Sequence, residues 1–268
     1  LQLFLKEKRR IEDIAIAELD KKFIEDYYNW MLGTCALASS TAFGRVNTLK
    51  WLMYTAQERG WIRLHPFIGF DCLPEYKRRS FLTEEDLQSV IHVKLNYKRQ
   101  RAIRDMFLFM CFTGLAYADL KEITYKNIHT DSEGGTWLMG NRIKTGVAYV
   151  VKLLPIAIEL VERYRGDNEK KSSPDKVFPV GEYQTMVSSL RVLTRKCGCS
   201  TEITPHIGRH TFAVLAILKG MPLETLQKVL GHKSILSTQI YAELINPKVG
   251  EDTDRLCMKI GDTYRLAN

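Results

Sequence analysis

The chain has 268 residues, enough for two domains and a sizeable core. Its 39 Lys and Arg outweigh 31 Asp and Glu, giving a formal charge of +8 and a pI near 9.1, which favours a polyanionic partner. No apolar run approaches the roughly 18 to 20 residues of a membrane span, no signal peptide is recognisable, and six scattered cysteines exclude a disulfide framework in favour of reduced thiols in a cytoplasmic protein.

Residues 1 to about 75 read as helical. Asp20 can cap a helix carrying Phe23, Ile24, Tyr27, Tyr28 and Met31 on one side. Ser39 or Ser40 can cap a second, in which Ala42, Val46, Leu49, Met53 and Ala56 keep a 3.6 period and Gly60 is the natural stop. Arg45, Lys50 and Arg59 lie off that apolar stripe, as a solvated face or as phosphate contacts. Residues 71–82 look extended, since Pro74 discourages helix and Lys77, Arg78 and Arg79 form a basic run. Thr83 then caps a new helix, with Asp86 in the capping-box position, so the domain boundary is placed at about residue 79.

The second part opens helical. Met106 to Phe112 is apolar on nearly every side, which predicts a buried helix ended by Thr113-Gly114, with another turn from Tyr117. Residues 136–139 and 148–151 read as two strands joined by Gly140 to Val147, and helix returns after Pro155 through Glu159, Leu160 and Tyr164. Gly220 ends the helix that bears His206 and Arg209, Pro222 sits where a first helical residue belongs, and Gly231 ends the next helix. The tail from Val249 holds a short amphipathic stretch with Leu256, Ile260 and Tyr264. Cys197-Gly198-Cys199 has no matching second pair and is a poor zinc signal, so neither a metal nor a cofactor is expected.

The chemistry concentrates between residues 204 and 242. Thr204-Pro205-His206-Ile207-Gly208-Arg209-His210-Thr211 is followed by Leu230-Gly231-His232 and then by Ile240-Tyr241-Ala242. His206 and Arg209, three apart, share a helix face. Arginine offers a planar fork for phosphate oxygens, histidine handles protons near neutral pH, and a tyrosine hydroxyl can become a covalent nucleophile. His232 is placed near a helix start, where backbone N–H groups favour an anion.

This order of His-x-x-Arg, Leu-Gly-His and Tyr resembles the C-terminal signature of the tyrosine recombinase (phage integrase) family. The resemblance implies a mainly α protein: a helical, SAM-like core-binding domain over 1–79, then an α+β catalytic domain with a small sheet over 80–268, ending in a tail exchanged between protomers. It implies that Tyr241 attacks a backbone phosphorus to give a 3′-phosphotyrosyl linkage, that Arg209 and His232 hold the phosphate, and that His206 assists proton transfer. His210 shares the face of His206 and is read as a packing residue. Lys144, in the loop between the predicted strands, takes the place of the family's general acid, with Arg142 and Lys152 as weaker alternatives.

One position departs from the family pattern. Thr113-Gly114-Leu115 is followed by Ala116 where the family's first arginine stands, while the acidic residue is kept as Asp119, read as a buried orienter of Arg209 or the histidines. Thr-Gly-Leu-Ala-Tyr-Ala-Asp-Leu, with Lys144-Thr145-Gly146 and Val177-Phe178-Pro179-Val180, is similar to integrases of Bacteroides-type mobile elements. In that branch an arginine twelve residues upstream is a candidate substitute, which here is Arg104.

The implied function is site-specific integration and excision of a mobile element, with duplex DNA attachment sites as substrate. A homo-tetramer on DNA, host DNA-bending or excision factors, and nucleoid association in a bacterial cytoplasm follow from the same resemblance. Arg45, Lys50, Lys77, Arg78 and Arg79 are the candidate DNA contacts. A chain opening at Leu1 in mid-pattern is expected to be a piece of a longer one, with an arm-binding domain before it. Two alternatives are a catalytically weakened DNA-binding regulator, for which Ala116 argues, and relaxation of the type IB topoisomerase kind. Covalent adduct formation separates the first, and relaxation of a plasmid without an attachment site the second.

Overall fold

A computed structural model describes residues 1–73, 80–168 and 175–243. Lys77, Arg78, Arg79 and the tail with Leu256, Ile260 and Tyr264 lie outside the described residues. The chain divides into two compact units, Leu1–Arg78 and Arg79–Asn268.

In the first unit α1 (Gln2–Phe4) runs on as a π-helical turn over Leu5–Arg9, followed by α2 (Lys21–Gly33) and α3 (Ser39–Glu58). Asp20 caps α2 by accepting the Phe23 N–H at 2.7 Å. The start of α3 differs from the expectation. Ala38 is its N-cap, without a side-chain bond, and Ser39 and Ser40 already lie inside the helix. A capping side chain must belong to the residue whose own backbone is the non-helical one at the helix start, and here that residue is Ala38, whose carbonyl takes the Thr41 and Ala42 N–H groups. Phe23, Ile24, Tyr27 and Met31 of α2 bury with Ala42, Val46, Leu49 and Met53 of α3. Phe4 closes this core, edge-on to Phe23 at 5.4 Å.

The second unit contains α4 (Glu84–His92), α5 (Lys98–Thr113), α6 (Tyr117–Glu122), β1 (Ile128–Thr130), β2 (Thr136–Asn141), β3 (Ala148–Lys152), α7 (Pro155–Asn168), α8 (Tyr183–Cys197), α9 (Pro205–Leu218), α10 (Leu223–Leu230) and α11 (Leu236–Ala242). Thr83 caps α4 through the Asp86 N–H at 3.1 Å. Pro222 is the N-cap of α10, one position ahead of the place expected for it. The sheet is antiparallel in the order β1-β2-β3, with Leu138 opposite both Ile128 and Val151. β1 escaped the sequence reading because three residues with His129 in the middle are too short to show an alternation.

α5 is the buried axis of this unit, with every residue from Asp105 to Cys111 buried. α9 packs closely on it because Gly208 carries no side chain: a Cβ there would meet Phe107 and Met110 at 3.2 Å. Gly114 ends α5 with φ +71°, and a Cβ on it would lie 2.6 Å from Phe212 and 2.7 Å from Leu230. Gly114→Ala therefore combines a left-handed backbone strain with overpacking. It is expected to destabilise the second unit by about 1 to 3 kcal/mol, and urea unfolding followed by circular dichroism measures this. An unchanged midpoint would contradict the packing described.

Candidate active site

The site is built around Arg209, on the second turn of α9. Thr204 caps that helix through the Ile207 N–H and Pro205 occupies its first position, where a missing N–H costs nothing. The Arg209 side chain points inward and the residue is only 6% exposed. Nη1 donates to the Gly114 carbonyl at 2.6 Å and Nη2 to the Leu230 carbonyl at 2.7 Å. These carbonyls sit at the C-terminal ends of α5 and α10, which carry unpaired acceptors and the negative pole of the helix. Burial first, and the nearby positive charge of Arg142 second, bring the Arg209 pKa down to about 10, against the pull of Tyr241 and Asp119.

Tyr241 lies on α11, is 1% exposed, and is close enough to Arg209 to act on its charge. Its Oη is 2.9 Å from His210 Nδ1. With the imidazole proton on Nε2, the phenol is the donor. His210 is thus a half-buried partner of the tyrosine, a correction to the packing role read from the sequence: α11 folds back over α9 and brings the hydroxyl to it. His206, exposed at the start of α9, stacks its ring on that of His210 at a centroid separation of 6.3 Å.

His232 flanks Tyr241 on another side, its ring parallel to the phenol at 6.5 Å, with Nδ1 2.8 Å from Thr238 Oγ1. It occupies the turn after α10, short of the start of α11, and its own N–H closes that turn on the Gln227 carbonyl. The expected placement at a helix start, with backbone groups turned to an anion, is therefore corrected: any role for His232 belongs to its side chain.

Asp119, 2% exposed, accepts the Ile143 N–H at 2.9 Å and lies 2.7 Å from Arg142 Nη1 in an ion pair off the straight line of a hydrogen bond. Its closest partners are thus the hairpin's Arg142 and Ile143, while its effect on Arg209 is through charge. Tyr149, opposite Gly140 in the sheet, is pushed up to about 12 by burial and then by Asp119. Lys144 is exposed in the turn between β2 and β3, which is closed by the Arg142 N–H on the Val147 carbonyl at 2.8 Å.

Arg104 is not part of this arrangement. Its Nε and Nη2 donate to Asp105 Oδ1 at 3.0 and 2.8 Å, and Nη1 reaches the Val93 carbonyl. Asp105 also accepts from Arg163 and Tyr164, both at 3.1 Å. Gly114, whose carbonyl holds Arg209, is ten residues further along, about 15 Å of helix rise. The expected substitution by Arg104 is corrected on that ground: its fork is spent on a buried carboxylate midway along α5. In the first unit Arg45 is exposed on α3, and the Lys50 ammonium lies over the Phe67 ring at 5.9 Å. Among the described residues no group of three or more His, Cys, Asp or Glu is placed to hold a metal ion, and no helix is long and apolar enough to cross a membrane.

Comparison with known proteins bears on the family and the fold. The model of the phage integrase family matches residues 80–246, and that of the phage integrase SAM-like domain matches residues 1–73. The chain belongs to the phage integrase family. The tyrosine recombinase XerA of Saccharolobus solfataricus is 31% identical over 175 residues, 65% of this chain and 56% of that protein. The chain therefore spans little more than half the length of that relative. A tyrosine recombinase of Pseudothermotoga lettingae is 22% identical over 252 residues, 91% of this chain and 85% of that one. Among solved structures, the Tn1549 transposon integrase in complex with a circular intermediate DNA superposes with a TM-score of 0.69 at 20% identity, covering 90% of this chain and 86% of that one. A lambda integrase dimer bound to a core site superposes at 0.68 and 18% identity, covering 87% and 83%. These likenesses show the fold of a phage integrase family member.

Sequence reasoning missed the contact of His210 with Tyr241 and the place of Arg142 against Asp119 and Gly231, within electrostatic reach of Arg209. For His210 a signal was present, since it shares the face of His206. For Arg142, 67 residues from Arg209 along the chain, no spacing rule applies. Asp119→Ala would leave Arg142 without its carboxylate in a largely buried setting. Breaking such a pair costs about 3 to 5 kcal/mol, so a large drop in the thermal midpoint is expected. A midpoint within a degree or two of wild type would show that the pair contributes nothing.

Proposed function

We propose that the chain is a site-specific DNA recombinase that cleaves and rejoins duplex DNA through a 3′-phosphotyrosyl intermediate, serving integration and excision of a mobile element. The observation that carries this reading is the buried tyrosine hydroxyl 2.9 Å from an imidazole nitrogen, within electrostatic reach of a buried guanidinium. A phenol with a base beside it and a fixed cation next to it is equipped to attack a phosphodiester.

In the proposed reaction Tyr241 Oη forms a bond to the scissile phosphorus as the bond from phosphorus to the 5′ oxygen breaks. The phenolic proton passes to His210, and Lys144 gives a proton to the departing 5′ oxygen. Arg209, with His232, holds the nonbridging oxygens, whose charge grows in the transition state, and His206, stacked on His210, assists proton transfer. Attack by a different 5′-hydroxyl reverses these steps and joins a new strand, the ester having kept the bond energy. Because Tyr241 is covered, α11, a seven-residue helix, has to swing outward as DNA enters.

Residues 1–79 are proposed as the core-binding domain and 80–268 as the catalytic domain with an exchanged tail. Duplex attachment sites are the proposed substrate, a homo-tetramer the working assembly and host DNA-bending or excision factors its helpers. Arg45 is the best-placed candidate phosphate contact of the first unit, since Lys50 is partly engaged by Phe67. The regulator reading rests on Ala116 alone.

A pool of biotinylated nicked duplexes with a randomised core provides the test. Adducts that resist denaturation are captured and sequenced, which also supplies the substrate. Wild type is expected to form adducts and Tyr241→Phe none, with DNA binding largely retained. Adducts persisting in Tyr241→Phe would place the nucleophile elsewhere, and none in wild type would favour the regulator. In fluorescence anisotropy on the selected duplex, Arg45→Ala is expected to weaken binding and flatten the salt slope by about one. The same slope as wild type would remove Arg45 from the interface.

A further inference from the structure

Ala116 leaves the site one phosphate cation short of its family pattern. Three observations converge on the residue that makes up for it. The first is position. Arg142 stands at the mouth of the β2–β3 turn, and its stem lies against the residue before His232: a Cβ on Gly231 would be 2.7 Å from Arg142 Cγ. The absence of a side chain at Gly231 thus admits the arginine to the end of α10, where Leu230 holds Arg209.

The second is how the guanidinium is held. The side chain is 13% exposed, and the Asp119 carboxylate fixes one nitrogen, Nη1, at 2.7 Å. Asp119 also takes the N–H of the next residue, Ile143, so the backbone on which Arg142 is mounted is tied to the same carboxylate. A guanidinium braced at one nitrogen by a carboxylate keeps its remaining donors for a second oxygen ligand.

The third is charge. Arg142 is close enough to Arg209 to depress its pKa, a repulsion that the fold tolerates. Two guanidinium charges against one Asp119 carboxylate leave one positive charge, which a phosphodiester, with its single negative charge, would match. Two cations within electrostatic reach of one another make sense when an anion is to lie between them.

We infer that Arg142 is a catalytic residue that donates to a nonbridging oxygen of the scissile phosphate, in place of the arginine absent at Ala116. This rests on the recombinase reading. Arg209 and Arg142 then form the pair of forks around the phosphorus, one from α9 and one from the hairpin. Asp119 acts as the positioning residue for the second, and Gly231 as the opening that lets it in.

The test compares single-turnover cleavage of the selected nicked duplex, made with either a phosphodiester or an uncharged methylphosphonate at the scissile position. Arg142→Ala and Arg142→Lys are the variants. Lysine keeps the pair with Asp119 but lacks the fork. On the phosphodiester both are expected to be slower than wild type by about 10² to 10³, the usual effect of losing one transition-state donor. On the methylphosphonate, which has no charge to neutralise, Arg142→Ala is expected to cleave faster than it cleaves the phosphodiester. Adding Ala116→Arg to Arg142→Ala is expected to recover part of the phosphodiester rate. Wild-type rates on the phosphodiester in both variants would overturn the proposal. Equal deficits on the two substrates, or an Arg142→Ala protein inactive on both, would also overturn it and leave Arg142 as a support of the hairpin. Adduct formation by wild type on the phosphodiester checks the underlying reading separately.

Discussion

The second unit depends on one buried side chain bridging the ends of two helices. Arg209 leaves α9 and donates to the Gly114 carbonyl at the end of α5 and the Leu230 carbonyl at the end of α10. Helix C-termini present acceptors that lack partners within the helix, and their dipoles favour a cation. That offsets part of the cost of removing a guanidinium from water, though the lowered pKa of Arg209 shows that the offset is incomplete. The two helices end in glycines in the left-handed region, Gly114 at φ +71° and Gly231 at φ +60°. A residue with a side chain at either position would be strained, and at Gly114 it would also collide with Phe212 and Leu230. The glycines thus hold the carbonyls where one arginine can reach both.

Around that bridge the candidate nucleophile is stored rather than displayed. Tyr241 packs among Phe212, Ala213, Leu226 and Leu230, while its hydroxyl is paired with His210. A buried phenol without partners would be costly, so the polar groups proposed to activate the tyrosine also allow it to be buried. In the proposed reaction, exposing it would exchange apolar burial for contact with DNA, which fits a reaction that begins only on a bound substrate.

The fold uses a buried aspartate twice, with different consequences. Asp105 gathers Arg104, Arg163 and the Tyr164 hydroxyl on the flank of α5 and α7. Asp119 gathers Arg142 and the Ile143 N–H, which ties the hairpin to the unit that carries Arg209. Both carboxylates sit on helices, Asp105 next to Arg104 in sequence and Asp119 far from any arginine along the chain. They differ in place: Asp105 is midway along α5, whereas Asp119 is on α6, five residues after the Gly114 whose carbonyl holds Arg209.

Local chemistry made much of this legible in the chain itself. Asp20, Thr83 and Thr204 accept N–H groups three residues on, as their side chains and the following pattern require. The period of Ala42, Val46, Leu49 and Met53 marks the buried face of α3, and the unbroken apolar run after Arg104 marks α5 as central. These rules act over a few residues, where backbone geometry fixes which side chains are neighbours. They also brought Arg209, His232 and Tyr241 into view, through motifs that resemble a known family. They could not tell that Arg104 turns to Asp105 and Arg142 to Asp119, or that His210 meets Tyr241 across 31 residues. Those pairings depend on how α9, α11 and the hairpin pack on α5. An arginine's partner is set by which buried carboxylate or carbonyl lies within about 3 Å of its fork, and only the folded chain brings such groups together.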